Sequence, residues 1–283
     1  MTRRLAVAGV GIPVCVAVTL AGGLLFVTGI AVLAAVSARE YVHLYRRGDG
    51  PRPLYVPTVA GAAAFPFLVH ALGTEGAWVL SGGILMLAGA WALGTREIGE
   101  GPVASAALTA FGVLYLGGLL GFSVPIRDSA DGSAAGTLLF FLPVTVTWLV
   151  DTAAFLGGRR FGRRKLAPRV SPNKTWAGAV SALAAGPAGA VLYALAVMPL
   201  ASGGYPGIPG GELGAGAAAL LGLVVAGAAV LGDLVESALK RECGAKDSSG
   251  LLPGHGGLLD RLDSLLWAIP AAHLFLVLQR AFS

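Results

Sequence analysis

Charged residues are scarce in this sequence. Asp, Glu, Lys and Arg supply 12% of the 283 residues, while 55% are hydrophobic. A typical soluble domain has about a quarter charged residues, so this composition argues against an ordinary soluble domain. We therefore predict an integral membrane protein.

Cysteine and histidine are also rare. Cys15 and Cys243 lie in different segments, which predicts neither a disulfide framework nor a zinc site. The four histidines are scattered. The sequence offers no convincing pairing of a nucleophile with a general base.

Long apolar runs, by contrast, are abundant. A bilayer span needs about 20 apolar residues, and we expect an all-α, polytopic membrane protein with eight or nine transmembrane helices. The first run is too long for one span, and Gly22-Gly23 is predicted to divide it. Its length also exceeds the roughly 7 to 15 apolar residues of a secretory signal, which favours a retained membrane anchor. The runs lie near 5–36, 56–72, 77–93, 103–122, 137–156, 177–200, 213–231 and 258–278.

The basic residues alternate along the chain with the predicted spans. The N-terminus and the loops at 39–52, 95–101, 157–174 and 240–246 are basic. Arg127 is the only basic residue in the loops at 73–76, 123–133 and 201–212. By the positive-inside rule, the basic loops are predicted to face the cytoplasm. The net charge of +5 is then explained by membrane orientation, and no nucleic-acid partner is expected.

Two acidic helix faces are predicted near the C-terminus. Each has polar residues at offsets 0, 3, 4 and 7, which place them on one side of a helix. Carboxylates near membrane depth are costly and usually pair within the protein or face water. Salt bridges at a cytoplasmic rim are one explanation, with Lys240, Arg241, Lys246 and Arg261 as the cations. The two faces comprise Asp233, Glu236, Ser237 and Lys240, and then Asp260, Asp263, Ser264 and Trp267.

A glycine-rich loop, "PGHGG", lies between these faces, and salt bridges alone do not explain it. Gly256 and Gly257 permit a close approach of backbone to a ligand, and such a loop before a helix favours phosphate binding. Asp260 and Asp263 offer the hard oxygen ligands that Mg²⁺ prefers. The combination indicates metal-assisted chemistry on a phosphate. His255 either donates to a phosphate oxygen or caps the turn.

Two segments resemble a known family. "SALKRECGAKDSSGLLPGHGGLLDRLDS", Ser237 to Ser264, resembles the signature of the phosphatidate cytidylyltransferases, or CDP-diacylglycerol synthases: Ser-x-x-Lys-Arg, Lys-Asp, Pro-Gly-His-Gly-Gly and Asp-Arg-x-Asp. "DTAAFLGGRRFGRRKLAPRVSPNKTWAG", Asp151 to Gly178, resembles the stretch that ends in Ser-Pro-x-Lys-Thr-Trp-Glu-Gly, with Ala177 in place of the usual Glu. The resemblance predicts N-terminal transmembrane helices over 1–135 and a C-terminal catalytic region over 136–283, in one integrated membrane domain.

The resemblance implies an enzyme of phospholipid biosynthesis that joins phosphatidate to CTP, giving CDP-diacylglycerol and pyrophosphate. The second pKa of a phosphate monoester lies near 6, so the attacking lipid phosphate is largely a dianion at neutral pH. No general base is needed, which agrees with the lack of a convincing nucleophile-base pair in this sequence. The reaction needs instead the neutralisation and alignment of two polyanions.

The resemblance also implies roles for individual residues. Asp233 and Asp260 are the first predicted Mg²⁺ ligands, followed by Asp263 and Asp247. Asp233, Asp260, Lys174 and Asp247 are the predicted catalytic residues. Asp151 is a functional candidate at the end of an apolar span, or a partner for a neighbouring arginine. The predicted substrate-binding residues are Asp151, Lys240, Arg241, Lys246, His255, Gly256, Gly257 and Arg261.

The expected setting is a multi-pass protein of the cytoplasmic (inner) membrane, with its site on the cytoplasmic side and CTP, phosphatidate and the bilayer as partners. The prediction also allows a second bound cation and a homo-oligomer. One alternative function is CTP-dependent transfer to another lipid phosphate. A transporter is less favoured, because its site would lie near the midplane between repeats, whereas these acids cluster near one rim.

Overall fold

The computed structural model describes residues 2–129, 134–200, 213–252, 254 and 256–282. These residues are mostly helical and include one two-stranded hairpin. The chain forms two compact units. Unit 1 comprises Met1–Pro125 and Lys240–Leu262, and unit 2 comprises Ile126–Leu239 and Asp263–Ser283. The glycine-rich segment therefore belongs to the same unit as the N-terminal helices.

The prediction of an all-α polytopic membrane protein is confirmed. Within the described residues, two shorter apolar helices, Gly11–Ala21 and Val79–Thr95, accompany seven that are long and apolar enough to cross a membrane. Together they compare with the eight or nine predicted spans. The seven are Gly23–Tyr45, Tyr55–Ala77, Pro102–Asp128, Ala134–Phe161, Trp176–Leu200, Ala215–Glu242 and Leu259–Ala281.

In unit 1, two glycines in the left-handed region break the apolar runs. Gly22 (φ 64°) separates the first two helices, and Gly73 (φ 68°) interrupts the third. Both breaks lie where one predicted apolar span ends and the next begins. Glycine is found at them because a residue with a side chain rarely adopts this conformation. The elements are α1 (Thr2–Ala21), α2 (Gly23–Tyr45), α3 (Tyr55–Thr95), a 3₁₀ turn (Ile98–Glu100), α4 (Pro102–Gly112), a π-helical segment (Val113–Gly118), α5 (Leu119–Gly121) and α6 (Ser123–Asp128), which continues into unit 2.

Unit 1 is held together by an apolar core among these helices. Val27 of α2, Phe65 and Val69 of α3, and Val113 and Val124 are all buried and form one cluster. Burying such side chains stabilises a fold by about 1.5 to 3 kcal/mol each in water; within lipid, close packing supplies the attraction instead. A short helix, α10 (Leu259–Leu262), also packs against α2.

Unit 2 is built around two helices packed along each other. They are joined by an antiparallel hairpin in which Lys165 pairs with Thr175 and Ala167 with Ser171. A Cβ on Gly178 would lie 2.8 Å from the carbonyl oxygen of Ala154, so glycine is required for this close approach. The elements are α7 (Ala134–Phe161), β1 (Lys165–Ala167), β2 (Ser171–Thr175), α8 (Trp176–Ala196), a 3₁₀ turn (Met198–Leu200), α9 (Ala215–Glu242), whose last residues lie in unit 1, and α11 (Leu265–Ala281).

Both cysteines are free thiols, Cys15 exposed and Cys243 buried. Burial and the neighbouring carboxylate of Glu242 raise the pKa of the Cys243 thiol, which keeps it neutral. Its role in unit 1 is therefore that of a small apolar residue.

Candidate active site

A cavity of about 590 Å³ in unit 2 is lined by residues of α7, the hairpin, α8 and α9. Apolar residues such as Phe155 and Val230 form part of its wall. Charged and polar side chains from three separate sequence segments line the rest. These are Asp151 and Arg159 of α7, Lys165, Asn173 and Lys174 of the hairpin, and Asp233 of α9. Such a mixed lining suits a ligand with both phosphate and apolar parts.

Two of these lining residues, Lys174 and Asp233, form an ion pair. The Nζ atom of Lys174 lies 2.7 Å from Oδ2 of Asp233. Their side chains are 21% and 32% exposed, whereas the Nζ atom of Lys174 is itself buried. The Oγ of Ser237, one turn along α9, donates to Oδ1 of Asp233 at 3.4 Å. Lys174 and Asp233, chosen separately from the sequence, are therefore direct partners.

The local chain path fixes Lys174. It is in β2, immediately before α8, and the hydroxyl of Thr175 caps that helix by accepting from the N–H of Gly178 at 3.2 Å. The N–H of Trp176 donates to the carbonyl of Arg164 at 3.0 Å across the hairpin. The sequence predicted a loop for this segment. A strand between two anchored points holds a side chain more precisely than a free loop does.

Asp151 brings a second carboxylate to the cavity. Its Oδ1 accepts from the Oγ of Ser264 at 3.5 Å, and it interacts electrostatically with Asp233 and Lys174. No group of three His, Cys, Asp or Glu side chains arranged for a metal ion occurs in the described part of the chain. Two carboxylates nevertheless fit Mg²⁺, which commonly takes one or two carboxylates plus substrate phosphates.

The basic hairpin region divides into two groups. Arg159 and Lys165 line the cavity. Arg160 instead lies over the ring of its neighbour Phe161, 5.6 Å from the centroid, and Arg164 lies 5.9 Å from the ring centroid of Trp176. The first group can contact an anionic ligand in the cavity, whereas the second contacts aromatic rings and is not part of the cavity lining.

In unit 1, Asp260 organises the glycine-rich segment. Its Oδ1 accepts from Nζ of Lys240 at 2.7 Å. Its Oδ2 accepts from the N–H of Ser248 at 2.9 Å, the hydroxyl of Ser248 at 2.9 Å and the N–H of Gly257 at 2.7 Å. Both oxygens are engaged with donors of the protein itself. The metal role of Asp260 stays a prediction.

Glu40 of α2 also binds this segment, and sequence reasoning missed it. It is 5% exposed, and its carboxylate accepts from the N–H groups of Leu258 at 3.0 Å and Leu259 at 2.8 Å. The hydroxyls of Ser248 and Ser249 donate to it as well. The sequence placed this position in the basic loop at 39–52, whereas α2 continues through it to Tyr45. The available signal was an acid just beyond a predicted span, where a carboxylate that becomes buried needs a partner.

The glycines of the segment are required by these contacts. Gly256 has φ 82°, and the N–H of Leu252 donates to its carbonyl at 2.9 Å. A Cβ on Gly257 would lie 2.6 Å from Oε2 of Glu40. Gly256 is therefore required for its positive φ, whereas Gly257 is required for close approach.

Two of the remaining predicted residues contact backbone groups close to them in the chain. Arg241 donates from Nη1 to the carbonyl of Ala245 at 2.9 Å, at the end of α9. Oδ1 of Asp263 accepts from the N–H of Ser264 at 2.7 Å. Lys246, Asp247 and Arg261 are exposed, and their substrate and catalytic roles stay predictions, while His255 lies outside the described residues.

The seven long apolar helices and the charged cavity define a polytopic membrane protein with a site suited to phosphate chemistry. The profile of the cytidylyltransferase family matches residues 2–279, and the chain belongs to that family. The match extends the similarity beyond the C-terminal half in which the motifs lie.

Individual relatives agree with the family match. The chain is 33% identical to "phosphatidate cytidylyltransferase 4, chloroplastic" of Arabidopsis thaliana over 305 residues, covering 95% of this chain and 71% of the relative. It is 41% identical to the phosphatidate cytidylyltransferase of Brucella suis over 162 residues, covering 57% of this chain and 54% of the relative. A Haemophilus influenzae enzyme of that name is 40% identical over 135 residues, or 48% and 44% of the two chains. The chain thus spans about half the length of the bacterial relatives.

Proposed function

We propose that this protein is a phosphatidate cytidylyltransferase, which transfers CMP from CTP to phosphatidate and gives CDP-diacylglycerol and pyrophosphate. The observation that carries the proposal is the Lys174–Asp233 ion pair in a cavity that Asp151 also lines. It combines cationic and carboxylate groups in a chain of the cytidylyltransferase family.

The reaction requires charge neutralisation and alignment. A phosphate oxygen of phosphatidate attacks the α-phosphorus of CTP, a new P–O bond forms, and the bond from that phosphorus to the β-phosphate oxygen breaks. Pyrophosphate leaves with the electron pair, and no proton needs to be removed from the attacking dianion. In this proposal the cations of Lys174, Arg159 and Lys165 reduce the repulsion between the two polyanions and hold them in line.

Mg²⁺ is part of the proposal. Asp151 and Asp233 would hold it, and when bound it supplies charge neutralisation at substrate phosphates. This pair is preferred over Asp233 with Asp260, because both oxygens of Asp260 already accept hydrogen bonds from protein donors. Lys174 exchanges its contact with Asp233 for one with phosphate when substrate binds.

An assay of the purified full chain with radiolabelled CTP tests the function. With phosphatidate and Mg²⁺ we expect a labelled CDP-lipid, because the substrates can then be neutralised and aligned. EDTA should abolish product formation, and excess Mg²⁺ should restore it. A panel including an isoprenoid ether phosphate distinguishes the acceptor. A product only from that lipid would replace phosphatidate as substrate, and no CTP-dependent product would contradict the proposal and favour a transporter.

We further propose that the protein lies in the cytoplasmic membrane with its basic segments facing the cytoplasm, as the positive-inside rule predicts. Labelling with an impermeant thiol reagent tests this in a Cys15→Ser/Cys243→Ser background. Glu75→Cys, in the base-poor segment 73–76 beside the interruption of α3 at Gly73, should react in intact cells. Gly250→Cys should react only after permeabilisation; Gly250 is exposed and has open space for a side chain. The opposite pattern would contradict this orientation.

A further inference from the structure

The signature segment of unit 1 is held by two carboxylates, and one of them comes from far outside the motif. Glu40 and Asp260 both accept hydrogen bonds from Ser248, whose Oγ lies 3.1 Å from Oε2 of Glu40 and 2.9 Å from Oδ2 of Asp260. A hydroxyl has a single hydrogen, so Ser248 donates to one carboxylate at a time. The two acids are therefore linked through one side chain.

Glu40 is held without a cation. Ion pairs within the described residues do not include it, and its four contacts are two backbone N–H groups and two serine hydroxyls. Hydrogen bonds to an ionised acceptor are about twice as strong as neutral ones. A carboxylate that is only 5% exposed is costly to bury unless it is hydrogen-bonded, and these four donors satisfy it. The donors belong to the two ends of one segment, Ser248–Ser249 and Leu258–Leu259.

We propose that Glu40 is a positioning residue that ties these two ends together and thereby sets the conformation of the glycine-rich segment. Each oxygen serves both ends. Oε1 accepts from Ser249 and Leu258, and Oε2 accepts from Ser248 and Leu259. Through Ser248, Glu40 also orients Asp260, which in turn holds Gly257 and Lys240. The effect of Glu40 on turnover rests on the proposed cytidylyltransferase activity, whereas its effect on the segment does not.

Glu40→Gln is the most specific variant, because it preserves the size of the side chain and removes one of its two acceptor oxygens. A glutamine side chain has one acceptor oxygen and one NH₂ group, which only donates. In either orientation of the amide, one of the N–H groups of Leu258 and Leu259 loses its acceptor. Glu75→Gln is the matched control, since Glu75 is exposed in the same unit.

Amide hydrogen exchange measures the protection of the backbone N–H groups in this segment. It is carried out on the full chain in lipid nanodiscs and followed by mass spectrometry. In Glu40→Gln we expect peptides covering 246–259 to exchange roughly tenfold faster, corresponding to the loss of about one charged hydrogen bond. Peptides from α7 and α8 should be unchanged, as should all peptides of Glu75→Gln. Exchange like that of the parent at 246–259, or faster exchange throughout the protein, would overturn the proposal.

Turnover supplies the second readout. We expect kcat to fall about fivefold in Glu40→Gln, while KM for CTP stays within about twofold, because a displaced segment misaligns groups without removing a substrate contact. An unchanged kcat per folded molecule would contradict the positioning role. If the parent forms no CDP-lipid, the proposed function fails, but the exchange experiment still decides whether Glu40 ties the segment.

A second variant keeps the test valid if Glu40→Gln does not fold. Ser248→Ala/Ser249→Ala retains the carboxylate of Glu40 and its two backbone donors and removes its two hydroxyl donors. It also removes the hydroxyl contact of Ser248 with Asp260 and that of Ser249 with the N–H of Leu251. It should speed exchange at 246–259 by a smaller factor than Glu40→Gln and leave α7 and α8 unchanged. Parent-like exchange in this double variant would overturn the proposal.

Discussion

Replacing Asp233 with Asn is expected to lower CDP-lipid formation by about a hundredfold or more, or roughly 2.7 kcal/mol at about 1.36 kcal/mol per decade. The substitution removes the negative charge that pairs with Lys174 at 2.7 Å, and with it one of the two carboxylates proposed to hold Mg²⁺. The remaining amide oxygen is neutral and a weaker ligand for a hard cation. The measurement is the initial rate with saturating CTP and Mg²⁺.

Asp49→Asn is the matched control, because Asp49 is exposed after the end of α2. Its rate should stay within about twofold of the parent, as is usual for surface substitutions away from a site. Raising the Mg²⁺ concentration should recover part of the activity of Asp233→Asn if that carboxylate is a metal ligand. Full activity of Asp233→Asn at ordinary Mg²⁺ would contradict its assignment.

Lys174→Ala is expected to lower CDP-lipid formation at least about tenfold, because a hydrogen bond to a charged group contributes about 1.5 to 3 kcal/mol. Arg160→Ala, in the same basic region, should lower it less than about threefold, since a surface cation of this kind contributes little. Arg160 lies over Phe161 and is not part of the cavity lining, whereas Lys174 is. Initial rates of the two variants with CTP and phosphatidate provide the comparison.

The direct contact between Lys174 and Asp233 makes a further test of this prediction possible. Side chains in contact give non-additive effects, with interaction energies of about 0.5 to 3 kcal/mol. The Lys174→Ala/Asp233→Asn double variant should therefore lose less activity than the product of the two single losses. Equal, small effects of Lys174→Ala and Arg160→Ala would instead reduce Lys174 to an orientation signal for the membrane.

The sequence alone predicted the features that depend on residues close together in the chain. Apolar run length gave the membrane class and most of the spans. Gly22-Gly23 predicted the break in the first run, and the ends of two apolar runs predicted the one near Gly73; at both breaks the structure has a glycine with positive φ, which few other residues adopt. The spacing of Asp233, Ser237 and Lys240 placed them on one face of a helix, and α9 does extend through all three. The two motif segments indicated the family, which the family match then established.

The partners of the charged residues were decided only by the tertiary structure. Lys174 was expected to contact phosphate and Asp233 a metal, yet packing of the hairpin beside α9 brings them 2.7 Å apart. Asp260 looked like an open ligand, but the fold supplies four donors to its oxygens. Glu40 lies in the segment predicted as the basic loop at 39–52, and its donors come from the other end of the chain. Helical period and span length depend on local sequence, whereas a side chain's partner depends on which distant segments pack together.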